Sequence, residues 1–359
     1  MDQSSAEIND HEMQDGTQND AGNNSIQGPP NAASPTPVKT PQKPEQKLTF
    51  SPKYMLSGHM KPVSSLKFSP DGKTLASCGA DKLIKFWDAY TGEILRTLEG
   101  HEEGISDIAW SFDGDFLASV SDDKSVRIWD FALGTQVRLL LGHTSFVFCV
   151  NYNPNSNLLV TGGFDETVRV WDVGRGKTLK VLPAHSDPVT SVAFNHDGTL
   201  IVSCAMDGLI RMWDTDSGQC LKTLVDDDNP ICSHVKFSPN SRFVLVSTQD
   251  STIRLWNYHS SRCVKTYVGH TNRTYCIPAC FSNTKDKYVV SGSEDHKVYV
   301  WNLQTCQIMQ VLEGHRDTTL AIDTHPTKDI IASAAMEKDL TIRLWFGEQS
   351  AMAEEPGPH

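Results

Sequence analysis

The residues best equipped for chemistry in this chain are histidines. His59, His101, His143, His185, His270 and His315 each have a serine or threonine and an aspartate within a few tens of residues downstream. Imidazole between a hydroxyl and a carboxylate is the composition of a nucleophilic triad: the ring takes the hydroxyl proton and the carboxylate fixes its tautomer. A catalytic nucleophile, however, is singular and sits in one cleft beside an oxyanion site. Here the same set of residue types recurs along the chain at one period, which is the mark of scaffolding. Other chemistries lack their residues too. There is no Gly-x-x-x-x-Gly-Lys-Ser/Thr phosphate loop and no His-Glu-x-x-His pair, and Cys276 and Cys280 lack the companion ligands of a zinc site. The sequence therefore predicts no enzyme, no metal and no cofactor.

The elements that position these histidines come in copies. Trp87, Trp129, Trp171, Trp213, Trp256, Trp301 and Trp345 are spaced by 42, 42, 42, 43, 45 and 44 residues. Gly-His pairs at 58, 100, 142, 269 and 314 precede them, with Ala184-His185 and Asp226-Asp227 in the remaining slots. A period of this size is one supersecondary unit copied seven times. Within one unit Leu95–Leu98, Ile105–Trp110, Phe116–Val120 and Ser125–Trp129 read as strands, with a turn at Asp113-Gly114. No segment sustains a helical period. Four strands per unit, arranged radially, make a β-propeller blade. The expectation is an all-β, seven-bladed propeller over residues 48–346, with a disordered Asn/Gln/Ser/Pro-rich tail over 1–47 and a loose end over 347–359. The last unit is one strand short, and Phe50–Leu56 is placed to supply it and remove the open sheet edge.

Charge and cysteine usage narrow the class. The formal net charge is −12 and no Lys/Arg run is present, which argues against direct nucleic-acid binding. Nine cysteines without a Cys-x-x-Cys pair point to reduced thiols in the cytosol or nucleus. No stretch approaches 18 apolar residues, so no membrane span is expected. Ser34-Pro35, Thr36-Pro37 and Thr40-Pro41 in the tail match proline-directed phosphorylation, although Pro-rich tails contain such pairs by chance.

The repeat resembles the WD-repeat family over about 300 residues. The resemblance implies a structural tetrad in each blade: the Gly-His histidine, a hydroxyl, a turn aspartate and the tryptophan. The aspartate is present six residues before every Trp, from Asp81 to Asp339. The hydroxyl is Ser77, Ser119, Thr161, Ser203 and Ser291, but Val246 and Ala335 stand in blades five and seven. Blade five, without His or hydroxyl, is expected to be the least rigid. Two residues per blade should ring the channel mouth, the one before each turn aspartate and the one that begins the inner strand.

A closer resemblance is to the WD-repeat subunit of COMPASS-type histone methyltransferase complexes. It is carried by Gly104-Ile105-Ser106-Asp107, Phe146-Val147-Phe148-Cys149, Phe164-Asp165-Glu166, Ala184-His185-Ser186-Asp187-Pro188-Val189, Asp226-Asp227-Asp228-Asn229-Pro230 and Trp301-Asn302-Leu303-Gln304-Thr305. It implies a non-catalytic nuclear scaffold, monomeric within a hetero-complex, for methylation of histone H3 at lysine 4. The mouth would grip an arginine of the SET-domain methyltransferase, or of a histone tail, through Ala80, Ser106, Asp122, Phe148, Phe164, Ser233, Tyr275 and Cys276. Pro278 stands where the family pattern has a second stacking Phe, and Met206 where it has a Tyr. A lost stacking face costs on the order of 1 kcal/mol. A second site, on the opposite face between blades five and six, would dock an acidic-hydrophobic segment of a partner subunit against Asn240, Phe243, Leu255, Lys265 and Gln304. Asn283 replaces an apolar residue of that pattern. A ubiquitin-ligase substrate receptor, or another WD-repeat adaptor, is the alternative. Its motif is absent, since Tyr90, Ala132, Gly174 and Asp216 stand where such receptors often carry Arg.

Overall fold

The structure is a computed structural model that describes residues 49–282 and 288–347. The expected tail, its Ser/Thr-Pro pairs, Asn283 and the end beyond Gly347 lie outside the described residues. Among those residues there are 28 strands and no helix, hence no helix able to cross a membrane. The strands form seven four-stranded antiparallel sheets. Blade one comprises β2 (Val63–Phe68), β3 (Thr74–Gly79), β4 (Ile84–Asp88) and β5 (Ile94–Leu98). Blades two to four run from β6 (Ile105–Trp110) to β17 (Cys220–Leu224). Blade five starts at β18 (Cys232–Phe237) and ends at β21 (Arg262–Tyr267); blade six runs from β22 (Ala279–Phe281) to β25 (Ile308–Leu312).

Blade seven closes the ring as expected. It joins β26 (Thr319–Thr324), β27 (Ile330–Ala335) and β28 (Ile342–Gly347) to β1, which is Phe50–Leu56. β1 lies antiparallel to β28, with Phe50 opposite Gly347 and Leu56 opposite Ile342. Phe50 also clasps blade six: its N–H donates to Gln310 Oε1 and its carbonyl accepts from Gln310 Nε2, both at 2.8 Å.

Sequence pattern explains which strand lies where. Second strands such as β3 are buried along their whole length and read as continuous apolar or small residues, whereas the outermost strands expose most of theirs. The apolar core is divided among seven clusters, each spanning two neighbouring blades. Phe86 of blade one packs with Trp110 and Phe131 of blade two, and Trp345 of blade seven with Tyr288 of blade six. A blade alone would leave both faces wet, so the stack is stable only as a ring. The repeated glycine serves this packing: a Cβ on Gly100, whose φ is +159°, would meet the Trp129 ring at 2.8 Å.

In blades one to four the tetrad forms. His59 Nδ1 lies 2.8 Å from Asp81, its Nε2 lies 2.7 Å from Ser77 Oγ, and the Trp87 indole N–H donates to that oxygen at 2.9 Å. The same bonds recur at His101, Ser119, Asp123 and Trp129, then at His143, Thr161, Asp165 and Trp171, and at His185, Ser203, Asp207 and Trp213. The polar atoms of each apparent triad thus satisfy one another inside a blade.

Blades six and seven depart from expectation, each for a local reason, and blade five lacks the tetrad as its sequence implies. In blade seven the hydroxyl is Ser333 rather than absent at Ala335. Ser333 Oγ accepts the Trp345 indole N–H at 2.8 Å and meets His315 Nε2 at 2.8 Å. The turn to Asp339 is two residues longer there, which moved the count. In blade six the tetrad expected of His270, Ser291, Asp295 and Trp301 does not form. Tyr299 takes the position that holds Arg or Lys in the other blades; it stacks on Trp301 and donates to Asp295 at 2.7 Å. Trp301 then donates to the Val268 carbonyl and Ser291 to that of Pro278. Both ring nitrogens of His270 are buried without a hydrogen-bond partner among the described residues. In blade five, Arg254 stands in for the missing pair by bridging Asp226 at 2.7 Å and Asp250 at 2.6 Å.

Candidate functional site: the channel mouth and the opposite groove

A β-bulge repeated in six blades aims side chains into the channel. The first and second strands of a blade pair with a register shift at Val63/Ser65, Ile105/Asp107, Val147/Cys149, Val189/Ser191, Cys232/His234 and Thr319/Ala321. A bulge re-aims the extra residue. Those residues are Ser64, Ser106, Phe148, Thr190, Ser233 and Leu320, and all six line one cavity of about 340 Å³. Met206, Cys276 and Pro278 complete its upper wall.

Blade six breaks the pattern. Its inner strand is offset by two residues: Ala279, opposite Ser291, lies nine residues after His270, whereas Leu66, opposite Ser77, lies seven after His59. Tyr275, expected at the head of that strand, therefore lies in the loop, 36% exposed, and does not line the cavity, while Cys276 and Pro278 do. Glu294 Oε1 holds this loop by accepting the backbone N–H groups of Arg273, Thr274 and Tyr275. The Cys276 thiol is pushed up to about 11 by burial, so it is a neutral wall group and not a thiolate nucleophile.

Ala80, Asp122 and Phe164 do not line this cavity; Asp122 and Phe164 adjoin it through Ser106 and Phe148, which do. Ser106 Oγ donates to Asp122 Oδ1 at 3.3 Å, and Gly104 fits between Ala80 and Asp122. Burial raises the Asp122 carboxyl above its ordinary range; Ser106 opposes this, while Glu103 and Asp123 add to it. A half-buried carboxylate with two further carboxylates nearby is favoured by an arriving cation. Phe148 and Phe164 approach edge to face at 6.2 Å. Phe146, which the sequence reading left out of the pocket, is 44% exposed and lies 6.1 Å from Phe164. An apolar residue exposed just before an inner strand was the available signal for it.

The second-site residues come together on the other face. Asn240, Phe243, Leu255, Lys265 and Gln304 line one groove of about 650 Å³, with Val264, Phe281 and Leu303 supplying further apolar wall. The turns that build it join first to second and third to fourth strands, so they lie at the end of the sheets away from the mouth. Lys265 Nζ donates to the Leu303 carbonyl at 2.9 Å and to Gln304 Oε1 at 3.2 Å, fixing a cation at the groove edge. Asn240 Oδ1 accepts from Ser238 Oγ at 2.7 Å and from the Arg242 N–H at 3.1 Å, which shapes the opposite lip.

Comparison with known families decides the wider placement. The model described as "WDR5 beta-propeller domain" matches residues 55–346. The chain belongs to the WDR5 beta-propeller family. Individual relatives match over short stretches: Protein Mut11 of Chlamydomonas reinhardtii is 46% identical over 54 residues, 15% of either chain. The Notchless protein homolog of Arabidopsis thaliana is 39% identical over 51 residues, 14% of this chain and 11% of its own. Eukaryotic translation initiation factor 3 subunit I of Schizosaccharomyces pombe is 42% identical over 45 residues, 12% and 14%. The matched stretch thus spans under a sixth of each of these relatives. Each is about one repeat long, so these likenesses describe the blade and not the role of the whole protein.

Proposed function

We propose that this member of the family is a non-catalytic scaffold of a nuclear histone H3 lysine-4 methyltransferase complex. It holds an arginine-bearing segment of the SET-domain enzyme at the mouth and an acidic-hydrophobic segment of a partner subunit in the groove. Tying both to one ring raises their effective concentration, and that is the mechanism. The observation that carries the reading is the pairing of two ligand-sized concavities on opposite faces. One is lined by Phe148 and Ser106, which contact Phe164 and the Asp122 carboxylate beside it, and the other combines apolar walls with a fixed cation. A guanidinium suits the first through charge and stacking; an acidic-hydrophobic strand suits the second.

Fluorescence polarisation of the full chain with an Ala-Arg-containing peptide from the methyltransferase tests the mouth. Wild type should bind, and Asp122→Ala should weaken binding at least tenfold, about 1.4 kcal/mol. A folded wild type that ignores the peptide removes the arginine half of the reading. Purification of the complex without methyltransferase subunits would remove the rest.

A further inference from the structure

The channel continues below the mouth to a second cavity of about 250 Å³ at its other end, among the lower halves of the inner strands. Lys67, Asp107 and His234 line both cavities and form the waist between them; Asn151, Lys236 and Asp323 line only the lower one. The acceptors here are already used. Asp107 accepts from Ser65 Oγ at 2.7 Å and from the N–H groups of Ile108 at 2.9 Å and Val150 at 3.1 Å. Asp323 Oδ2 accepts the Phe68 N–H at 2.8 Å, and Asn151 Oδ1 accepts the Phe194 N–H at 2.9 Å.

Two donors and one imidazole nitrogen are not used. Among the described residues Lys236 has no ion pair, Asn151 Nδ2 has no acceptor, and the buried Nδ1 of His234 has no partner. Lys67 sits 4.0 Å from Asp107, a loose pair. Burial, then the positive charges of Lys67 and Lys236, hold His234 well below the ordinary imidazole range. An unfilled set of donors around a cavity, with its carboxylates held by backbone N–H groups, is complementary to an acceptor-rich anion.

We propose that the lower channel binds a phosphate-class oxyanion through Lys236, His234 and Asn151, either as the free ion or carried on a phosphorylated side chain. The mouth and groove readings assign no ligand contact to these three residues, although His234 also borders the mouth cavity.

Isothermal titration calorimetry of the full chain tests it with sodium phosphate, sodium chloride at matched ionic strength, and a phosphoserine tripeptide with its unphosphorylated form. The expected result is saturable one-to-one heat from phosphate and none from chloride, with Lys236→Gln at least tenfold weaker. Heat from the phosphopeptide alone would assign the anion to a protein partner. His234→Gln serves as a second variant should Lys236→Gln fail to melt cooperatively. Absence of heat from both phosphate and phosphopeptide in folded wild type overturns the site, as does unchanged binding in the folded variants.

Discussion

At the residue scale, Ser333, inside a tetrad, and His270, where none forms, behave in contrasting ways. Ser333 is fully buried and its oxygen is shared by Trp345 and His315. Removing it strands a buried indole N–H, at a cost of about 1–3 kcal/mol. Ser333→Ala should therefore lower the urea-unfolding free energy by that amount, and a neutral substitution would exclude Ser333 from the tetrad. His270 behaves in the opposite sense. Burial holds its pKa down at about 4 against an ordinary value near 6.5. Between those values the unfolded chain takes up a proton that the folded chain refuses, so stability is full above pH ~6.5 and declines as pH falls toward 4. His270→Phe should flatten that part of the stability profile by at most about 3 kcal/mol. A profile parallel to wild type would show that the ring does titrate in the folded blade.

At the scale of elements, the strands were legible and the loops less so. Ile105–Trp110 is a strand with the bounds that its alternation suggests, and Phe50–Leu56 was visible as a fourth strand without a blade. The aspartate six before each tryptophan survives in all seven blades because a short turn links them. Counting failed where a loop grew by two residues, and it displaced Tyr275 from the cavity and hid Ser333. Nor could composition foresee that Tyr299 would take Asp295, or that Arg254 would bridge two aspartates, because both follow from side chains meeting across a turn. Closure yields a direct test at this scale. Deleting residues 1–45 should leave cooperative melting unchanged, whereas deleting 1–57 removes β1 and should abolish it. A soluble, cooperatively melting 58–359 chain would refute the role given to β1.

For the whole molecule, the radial arrangement places the mouth and the groove at opposite ends of the same sheets. They share no lining residue, and distant sites without common partners act additively. Val264 lines the groove and is 46% exposed, so Val264→Glu should block partner capture while peptide affinity at the mouth stays within twofold. The check is co-purification alongside polarisation on one variant. Coupled loss of both would mean that the ring transmits strain between its faces.

The clasp between Phe50 and Gln310 joins residues 260 positions apart. A ribosome adding roughly 5–20 residues per second makes the first of these long before the second. For that interval, on the order of tens of seconds, the first strand has no partner and the growing stack ends in an open edge. Low contact order within each blade lets it form early, but the seam must wait for the last strand. The architecture that leaves the finished ring with only short blade edges also makes its synthesis the period of greatest exposure, when a chaperone or an assembly partner has most to protect.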